Sequence, residues 1–507
     1  VFFYSLATIC IFLTITQTFF QNNLFTLCHL IYTDTFYMKR KWIRWVSWIL
    51  LTPIILFVIL MVLLYVPPVQ NLLRREVTAY ASKVTGMQIQ VERIDLRFPL
   101  NLLVRGVEVI QQPDTLLSLE SLNVRVQAWP LIKGKVEVDE VTLSRVAVNS
   151  ANLMEGMKIK GVLGRFFLQS HGVDLSNELA VINQVELSDT HVQLLMNDTT
   201  TTPKDTTASA PINWKVALHQ LKLKNVSFGM QLPADSMRMT AHIGEAAINN
   251  AQADLKNQYY DLKKFLLSGT SASYDTGTAQ PTEGFDASHI AVRDIRIALD
   301  SLLYKGRDMN AVIREFTMNE RSGLSVTALT GRAYSNDSVI CVPSLKLNTP
   351  HSEIDLSAHT YWELVNIPTT GRLSARLNAY IGKEDVMLFA GGLPESFKEA
   401  YPFRPLVIRA GTDGNLKEMQ ISRFTVDLPG AFALEGGGLL ENLTDSLTRT
   451  GTIGLKMTTQ NLNFLTALSG EAPNGTLVIP DSMNLVAKVD IKGPEYKAGL
   501  RLKEGKG

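Results

Sequence analysis

Cysteine is scarce in this chain: three in 507 residues, Cys10, Cys28 and Cys341. The first two precede the apolar run described below, so the body after it holds one thiol and cannot form an internal disulfide. Neither sign of charge is in excess, with 49 Lys+Arg against 48 Asp+Glu and a net charge of +1. No basic block lies outside the flanks of the apolar run, which argues against nucleic acid as a partner. The eight histidines are dispersed and none forms a paired-ligand motif. His351 and His359 flank Glu353 and Asp355 on a strand-like run, and solvent-facing polar positions account for them better than zinc does. A GxSxG elbow, a Walker loop and a GxGxxG fingerprint are all missing. Gly436-Gly437-Gly438 lacks the strand-to-helix context of a phosphate cradle and reads as a turn. No catalytic residue, metal site or cofactor is expected, and the chain does not read as an enzyme.

Long apolar runs are also few, but one stands out. Val46 to Val66 contains only Ser47, Thr52 and Pro53 as mild exceptions. At about 1.5 Å per residue it spans roughly 30 Å, the thickness of a bilayer core. Lys39, Arg40, Lys41 and Arg44 precede it, and Trp42, Trp45, Trp48 and Tyr65 stand near its ends. The positive-inside rule then places the N-terminus in the cytoplasm and the body outside it. A cleaved signal peptide is the rival reading, disfavoured by the length of the run and by Pro67-Pro68 where small residues would be needed. Residues 38–66 are therefore expected to be a basic flank and membrane anchor bounded by Trp45, Val46 and Val66. Residues 1–37 hold no Lys or Arg. They read as upstream sequence ahead of an initiator at Met38, the alternative being a second membrane segment from Val1 to Phe20.

Residues 67–86 form the next segment. Pro67 and Pro68 suit a helix start, Val69, Leu72, Leu73, Val77, Tyr80 and Val84 recur at helical spacing, and Gly86 fits a stop. This amphipathic helix either plugs the end of an adjoining sheet, the favoured reading, or lies on a membrane surface.

From Met87 onward the pattern is strand after strand, and it carries a repeated slip, Φ-x-x-Φ-x-Φ. It runs Ile89, Val91, Ile94, Leu96; then Leu122, Val124, Val126; then Val136, Val138, Val141, Leu143, Val146, Val148. Later copies are Val185, Leu187; Leu221, Leu223, Val226; and Val292, Ile295, Ile297. Side chains at i and i+2 share a face, so a step of three throws the next residue to the other side unless a β-bulge absorbs the extra one. Bulges repeated along neighbouring strands curl a sheet about its apolar face. The expected fold is mainly β: an elongated, curled antiparallel sheet, taco-like, with an apolar groove.

Residues 87–322 read as a first β region with polar disordered loops near 197–211 and 268–284. Residues 323–507 read as its continuation, with further chain expected beyond Gly507. Glu245 to Leu267 reads as strand despite its helix-friendly composition. Short helical pieces are expected near Gly382 to Gly391, Pro394 to Tyr401 and Asn461 to Leu468. Turn signals fall at Gly331, Ser335 to Ser338, Asn348 to Pro350, Gly411 to Gly414, Gly436 to Gly438 and Pro473 to Gly475. A trough exposing roughly 1,000 Å² of apolar surface would cost on the order of 25 kcal/mol if left wet. Beside a membrane anchor the available filler is acyl chain; the alternative is an interior closed by the protein's own side chains.

Several segments resemble the AsmA-like superfamily: Thr85-Gly86-Met87-Gln88-Ile89-Gln90-Val91, Phe98-Pro99, Val104-Arg105-Gly106-Val107-Glu108-Val109, and Leu122-Asn123-Val124-Arg125-Val126 leading into Trp129-Pro130-Leu131-Ile132-Lys133-Gly134-Lys135-Val136. Val292-Arg293-Asp294-Ile295, Gly382-Lys383-Glu384-Asp385, Gly414-Asn415-Leu416 and Asp427-Leu428-Pro429-Gly430 agree in style. Within the superfamily, the TamB-type translocation and assembly proteins of Bacteroides-like bacteria are the most similar. The resemblance implies a single-pass bacterial inner-membrane protein with a periplasmic β-taco that carries phospholipid from inner to outer membrane. It equally implies the alternative, a scaffold for outer-membrane protein assembly with a BamA/TamA-like barrel partner. A plain membrane-tethered β protein is the third reading. The family's C-terminal domain has no counterpart in this sequence.

Overall fold

The computed structural model describes residues 47–48, 51–52, 55–56, 58–59, 62–63, 65–97, 100–111, 114–127, 130, 137–154, 157–174, 177–196, 213–469 and 482–504. The chain divides into two compact units, Val1–Met230 and Gln231–Gly507. Trp45, Val46 and Val136 lie outside the described residues, as do the expected loop at 197–211 and the turn at Pro473 to Gly475. Among the described residues no helix is long and apolar enough to cross a membrane.

In the first unit the described residues between 47 and 63 are helical, and helix α1 (Pro67–Thr85) follows them, with Val66 as its extended N-cap. Proline suits this start because the amide it lacks would find no helical partner there. Gly86, at φ 69°, closes the helix in the left-handed conformation and donates its N–H to Ser82 O at 3.0 Å. The helix lies along β1 (Gln88–Arg97). Arg74 donates to Glu92 O at 2.6 Å and to Val91 O at 3.3 Å, Gln70 to Leu96 O at 3.0 Å, and Ile89 N–H to Ser82 Oγ at 3.0 Å. It thus covers a sheet edge, and an uncovered edge is a hazard. Leu72, Tyr80 and Val84 stay exposed on its far side.

Strands β2 (Asn101–Gln111), β3 (Asp114–Val126), β4 (Val138–Met154), β5 (Met157–Asp174), β6 (Leu179–Met196) and β7 (Lys215–Leu232) follow. From β1 to β6 each strand pairs antiparallel with its predecessor.

The second unit is also an antiparallel meander: β8 (Met237–Asp254), β9 (Tyr259–Asp275), β10 (His289–Lys305), β11 (Asp308–Glu320), β12 (Ser325–Val326), β13 (Ala328–Ser335), β14 (Val339–Asn348), β15 (Glu353–Tyr361), β16 (Leu373–Ile381), β17 (Leu406–Gly414), β18 (Glu418–Leu428), β19 (Phe432–Glu441), β20 (Thr450–Thr459), β21 (Met483–Lys492) and β22 (Glu495–Glu504). Short helices interrupt it: α2 (Trp362–Asn366), α3 (Lys383–Leu388), α4 (Glu395–Ala400) and α5 (Asn463–Thr466). The last three fall inside the helical windows read from the sequence. They help close a side-chain core of Phe397, Tyr401, Leu428, Ala431, Leu462 and Phe464. Phe464 stands 5.9 Å from the Phe397 ring and 5.6 Å from that of Tyr401.

Several expectations are corrected. Residues 245–267 are strand, but split between β8 and β9 by a turn at 255–258. The segment 268–284 is not one disordered loop, since β9 continues to Asp275 and the rest is held down. Phe285 N–H donates to Leu388 O at 2.7 Å, and its ring lies 5.4 Å from that of Phe389. Gly331, Gly411 to Gly414 and Gly436 to Gly438 sit inside β13, β17 and β19 rather than in turns. Crowding explains the glycine at 436: a Cβ there would meet Leu455 Cδ2 at 2.6 Å and Phe424 Cε1 at 2.8 Å.

Candidate apolar binding face

Residues paired across an antiparallel ladder point to the same side of the sheet. Following the pairs from β1 to β6 assembles apolar rows transverse to the strands. One row is Leu96, Leu102, Val124, Val141, Leu168, Val185. The next is Ile94, Val104, Leu122, Leu143, Phe166, Leu187. The third is Val91, Val107, Leu119, Val146, Leu163 and then Thr190; the fourth joins Ile89, Val109, Leu117 and Val148. Val126 and Val138 pair beyond the first row. Leu221 and Leu223 are on β7, and in the second unit Ile297 pairs with both Leu267 and Phe316 while Ile295 pairs with Thr270. The structure therefore brings the predicted positions on β1, β3, β4 and β6 onto one face.

The apolar members of these rows in the first unit are all half-buried, neither sealed nor fully exposed. The most deeply buried apolar residues of that unit, Leu116 and Ala180, are in none of them. A closed sandwich would bury such rows from both sides. The opposite face is mostly polar, with pairs such as Gln90–Glu108, Arg93–Arg105 and Arg125–Glu140, although Leu103, Val162 and Phe167 also fall on it. Arg125 and Glu140 approach to 3.3 Å.

Between the second and third rows runs a line where the apolar step is three residues. Here the bulge expectation is corrected. On each of the five ladders the register is the same above and below the step, so no strand carries an extra residue. Instead the rungs Glu92–Gly106, Gly106–Glu120, Glu120–Arg145, Arg145–Gly164 and Gly164–Asp189 are all missing. Gly106, Arg145, Asp189 and Asn225 adopt positive φ of 59°, 47°, 51° and 52°. On these four strands, β2, β4, β6 and β7, the left-handed residue realigns the chain so that three residues span what two normally do, while β1, β3 and β5 make the same step with no positive φ. Side chains run along the line on the polar face. Arg145 pairs with Glu120 and holds its carboxyl below the ordinary range, and Asn225 donates to Asp189 Oδ1 at 2.7 Å. In the second unit a true register shift accompanies the step from Val292 to Ile295, with Asp294 at φ 56°.

The sequence reading missed the β2 residues Leu102, Val104, Val107 and Val109 and the β5 residues Leu163, Phe166 and Leu168 as members of this face. Both strands carry the same step, Val104-Arg105-Gly106-Val107 and Leu163-Gly164-Arg165-Phe166.

In the second unit, the rim where β9, β10 and β16 end is bridged. Beyond the Phe285 contacts, Lys398 lies 3.7 Å from Glu283. Asp286 anchors the 276–288 loop. It accepts N–H bonds from Thr282 at 3.0 Å and Ser288 at 2.9 Å, and its Oδ2 lies 2.9 Å from His289 Nδ1. These bonds hold its carboxyl well below the usual carboxylate range. Among the described residues no cluster of His, Cys, Asp and Glu is arranged to hold a metal. No family model and no curated protein matches this chain.

Proposed function

We propose that the chain is a membrane-anchored lipid conduit whose apolar rows shield phospholipid acyl chains in transit between the inner and outer membranes of a bacterium. The observation that carries this reading is the set of contiguous apolar rows over six strands, half-buried throughout and backed by a mostly polar face. A single sheet with one greasy side needs a second layer, and large apolar patches of this kind mark binding surfaces. Acyl chains supply that layer without a specific site to stall them, while headgroups stay in water. The 46–66 run provides the anchor in this reading, with the body periplasmic, and no chemical step is assigned to the protein.

The second reading, which the same resemblance implies, is a scaffold for outer-membrane protein assembly with a barrel partner. Native mass spectrometry of the purified body tests both readings. Co-purified phospholipid adducts are expected for the conduit; a lipid-free body that captures a β-barrel partner would overturn it in favour of the scaffold.

A further inference from the structure

We infer that the line of missing rungs across β1 to β6 is a built crease that makes the apolar face concave, and that Asp189 and Asn225 are positioning residues for a lipid with two acyl chains. The inference rests on the conduit reading above. Accidental irregularities would fall at different heights on different strands, yet five successive ladders skip the same line. At the step two successive residues stand between the apolar rows on every strand: both are exposed in β1 (Glu92-Arg93) and β7 (Lys224-Asn225), and one of the two is exposed on each of β2 to β6, namely Arg105, Glu120, Arg145, Arg165 and Asp189. That side therefore carries more residues over the same span and is the outside of the bend.

The crease is held despite its cost. A left-handed conformation disfavours any residue with a Cβ, by about 1–3 kcal/mol, and persists only where the surroundings over-determine it. Arg145, Asp189 and Asn225 all adopt it. They are tied along the line by the Arg145–Glu120 pair and the Asn225–Asp189 bond. Where strands cross the line closely, glycine is required. A Cβ on Gly164 would stand 2.7 Å from Asp189 Cβ and 2.8 Å from Asp189 O, and one on Gly106 would stand 2.7 Å from Glu92 Cβ. A flat apolar face would still hold one chain by contact, whereas wrapping two chains needs the curvature.

The test uses the full chain with its own cysteines replaced and spin labels at positions 184 and 193, on either side of the crease in β6. Fully extended, nine residues span about 30 Å, and the wild-type separation should be clearly shorter. Valine cannot readily adopt the left-handed conformation and glycine can. Asp189→Val and Asn225→Val should lengthen the separation by several ångströms. They should also lower binding of a fluorescent two-chain phosphatidylethanolamine at least tenfold per folded chain, while palmitate binding moves less than about twofold. Asp189→Gly and Asn225→Gly should restore both readouts, which a loss of stability alone would not do. An unchanged separation, or a lengthened one with two-chain binding intact, overturns the inference and leaves the conduit standing. A wild-type chain that binds neither lipid overturns both. Should the valine chains not fold, hydrogen exchange in the wild type decides. Amides of Gly106, Glu120, Arg145, Gly164 and Asp189 should exchange at least tenfold faster than those two residues away, and uniform protection would overturn the crease.

Discussion

At the scale of single residues, the step of three was legible but its cause was not. Both a bulge and a left-handed residue put the next apolar group back on the same face, and only the register distinguishes them. The residues in the left-handed conformation are Gly, Arg, Asp and Asn in turn, so no single residue type marks the line. Gly164 is the most telling position. It has an ordinary strand neighbourhood in sequence, yet it has no room for a methyl group beside Asp189. Gly164→Ala should therefore lower stability by about 1–3 kcal/mol, the usual cost of overpacking. Gly229→Ala is the control, because a Cβ there would meet only Gln193 Cγ at 3.7 Å. Its effect should stay within ~0.5 kcal/mol. Urea denaturation of the two variants gives the comparison, and equal midpoints would show that the close approach at Gly164 is relieved at no cost.

At the scale of elements, helices and strands were largely readable because their apolar periods differ, while glycine in strands was misread as punctuation. Gly436 lies in β19 because Phe424 on β18 and Leu455 on β20 occupy its side-chain space, and Gly438 because the Thr452 carbonyl on β20 comes too close for a Cβ, and a single sequence does not show cross-strand neighbours. The 268–284 segment was misread for a related reason. Its order comes from Asp286 and from contacts to residues more than a hundred positions away, not from local propensity. That anchoring predicts a pH dependence. A carboxyl held below its unfolded value of about 3.9 stabilises the folded form fully above that pH and loses its contribution as pH falls through the folded value. Amide protection over 276–288, corrected for intrinsic exchange, should be constant from pH 7 to 5 and fall below pH 4. Asp286→Ala should be poorly protected throughout and show no such fall; parallel profiles for the two proteins would remove Asp286 as the anchor. A second element to probe is α1, held to the β1 carbonyls by Arg74. Arg74→Ala should weaken the docking by about 1–3 kcal/mol, since a charged donor is lost. Protease cleavage within 67–85 should accelerate accordingly.

At the scale of the whole molecule, the decisive question is whether each apolar assembly is a sealed core or an open face, and the two units give opposite examples. Phe464 is buried among Phe397, Tyr401 and Leu428, whereas Leu143 is half-buried in a row whose members are all half-buried. The sequence does not separate these cases, because both are apolar residues in apolar surroundings and what differs is the layer above them. A carboxylate does separate them. Phe464→Asp places an unpaired charge where no water reaches it and should cost roughly 4 kcal/mol or more. Leu143→Asp puts the same group on a face that water or lipid already touches, so the carboxylate stays solvated. Its cost should remain below about 1.5 kcal/mol, and Val141→Asp and Leu187→Asp, in the same two rows, should behave alike. Lipid carried per chain should nonetheless fall at least tenfold in these three, since a charge in the acyl path must be passed by hydrocarbon. Thermal melts paired with extracted-lipid quantification read both quantities on one preparation. If Leu143→Asp instead unfolds its unit as Phe464→Asp does, the rows are a core closed by the protein's own side chains, and the conduit reading falls with them.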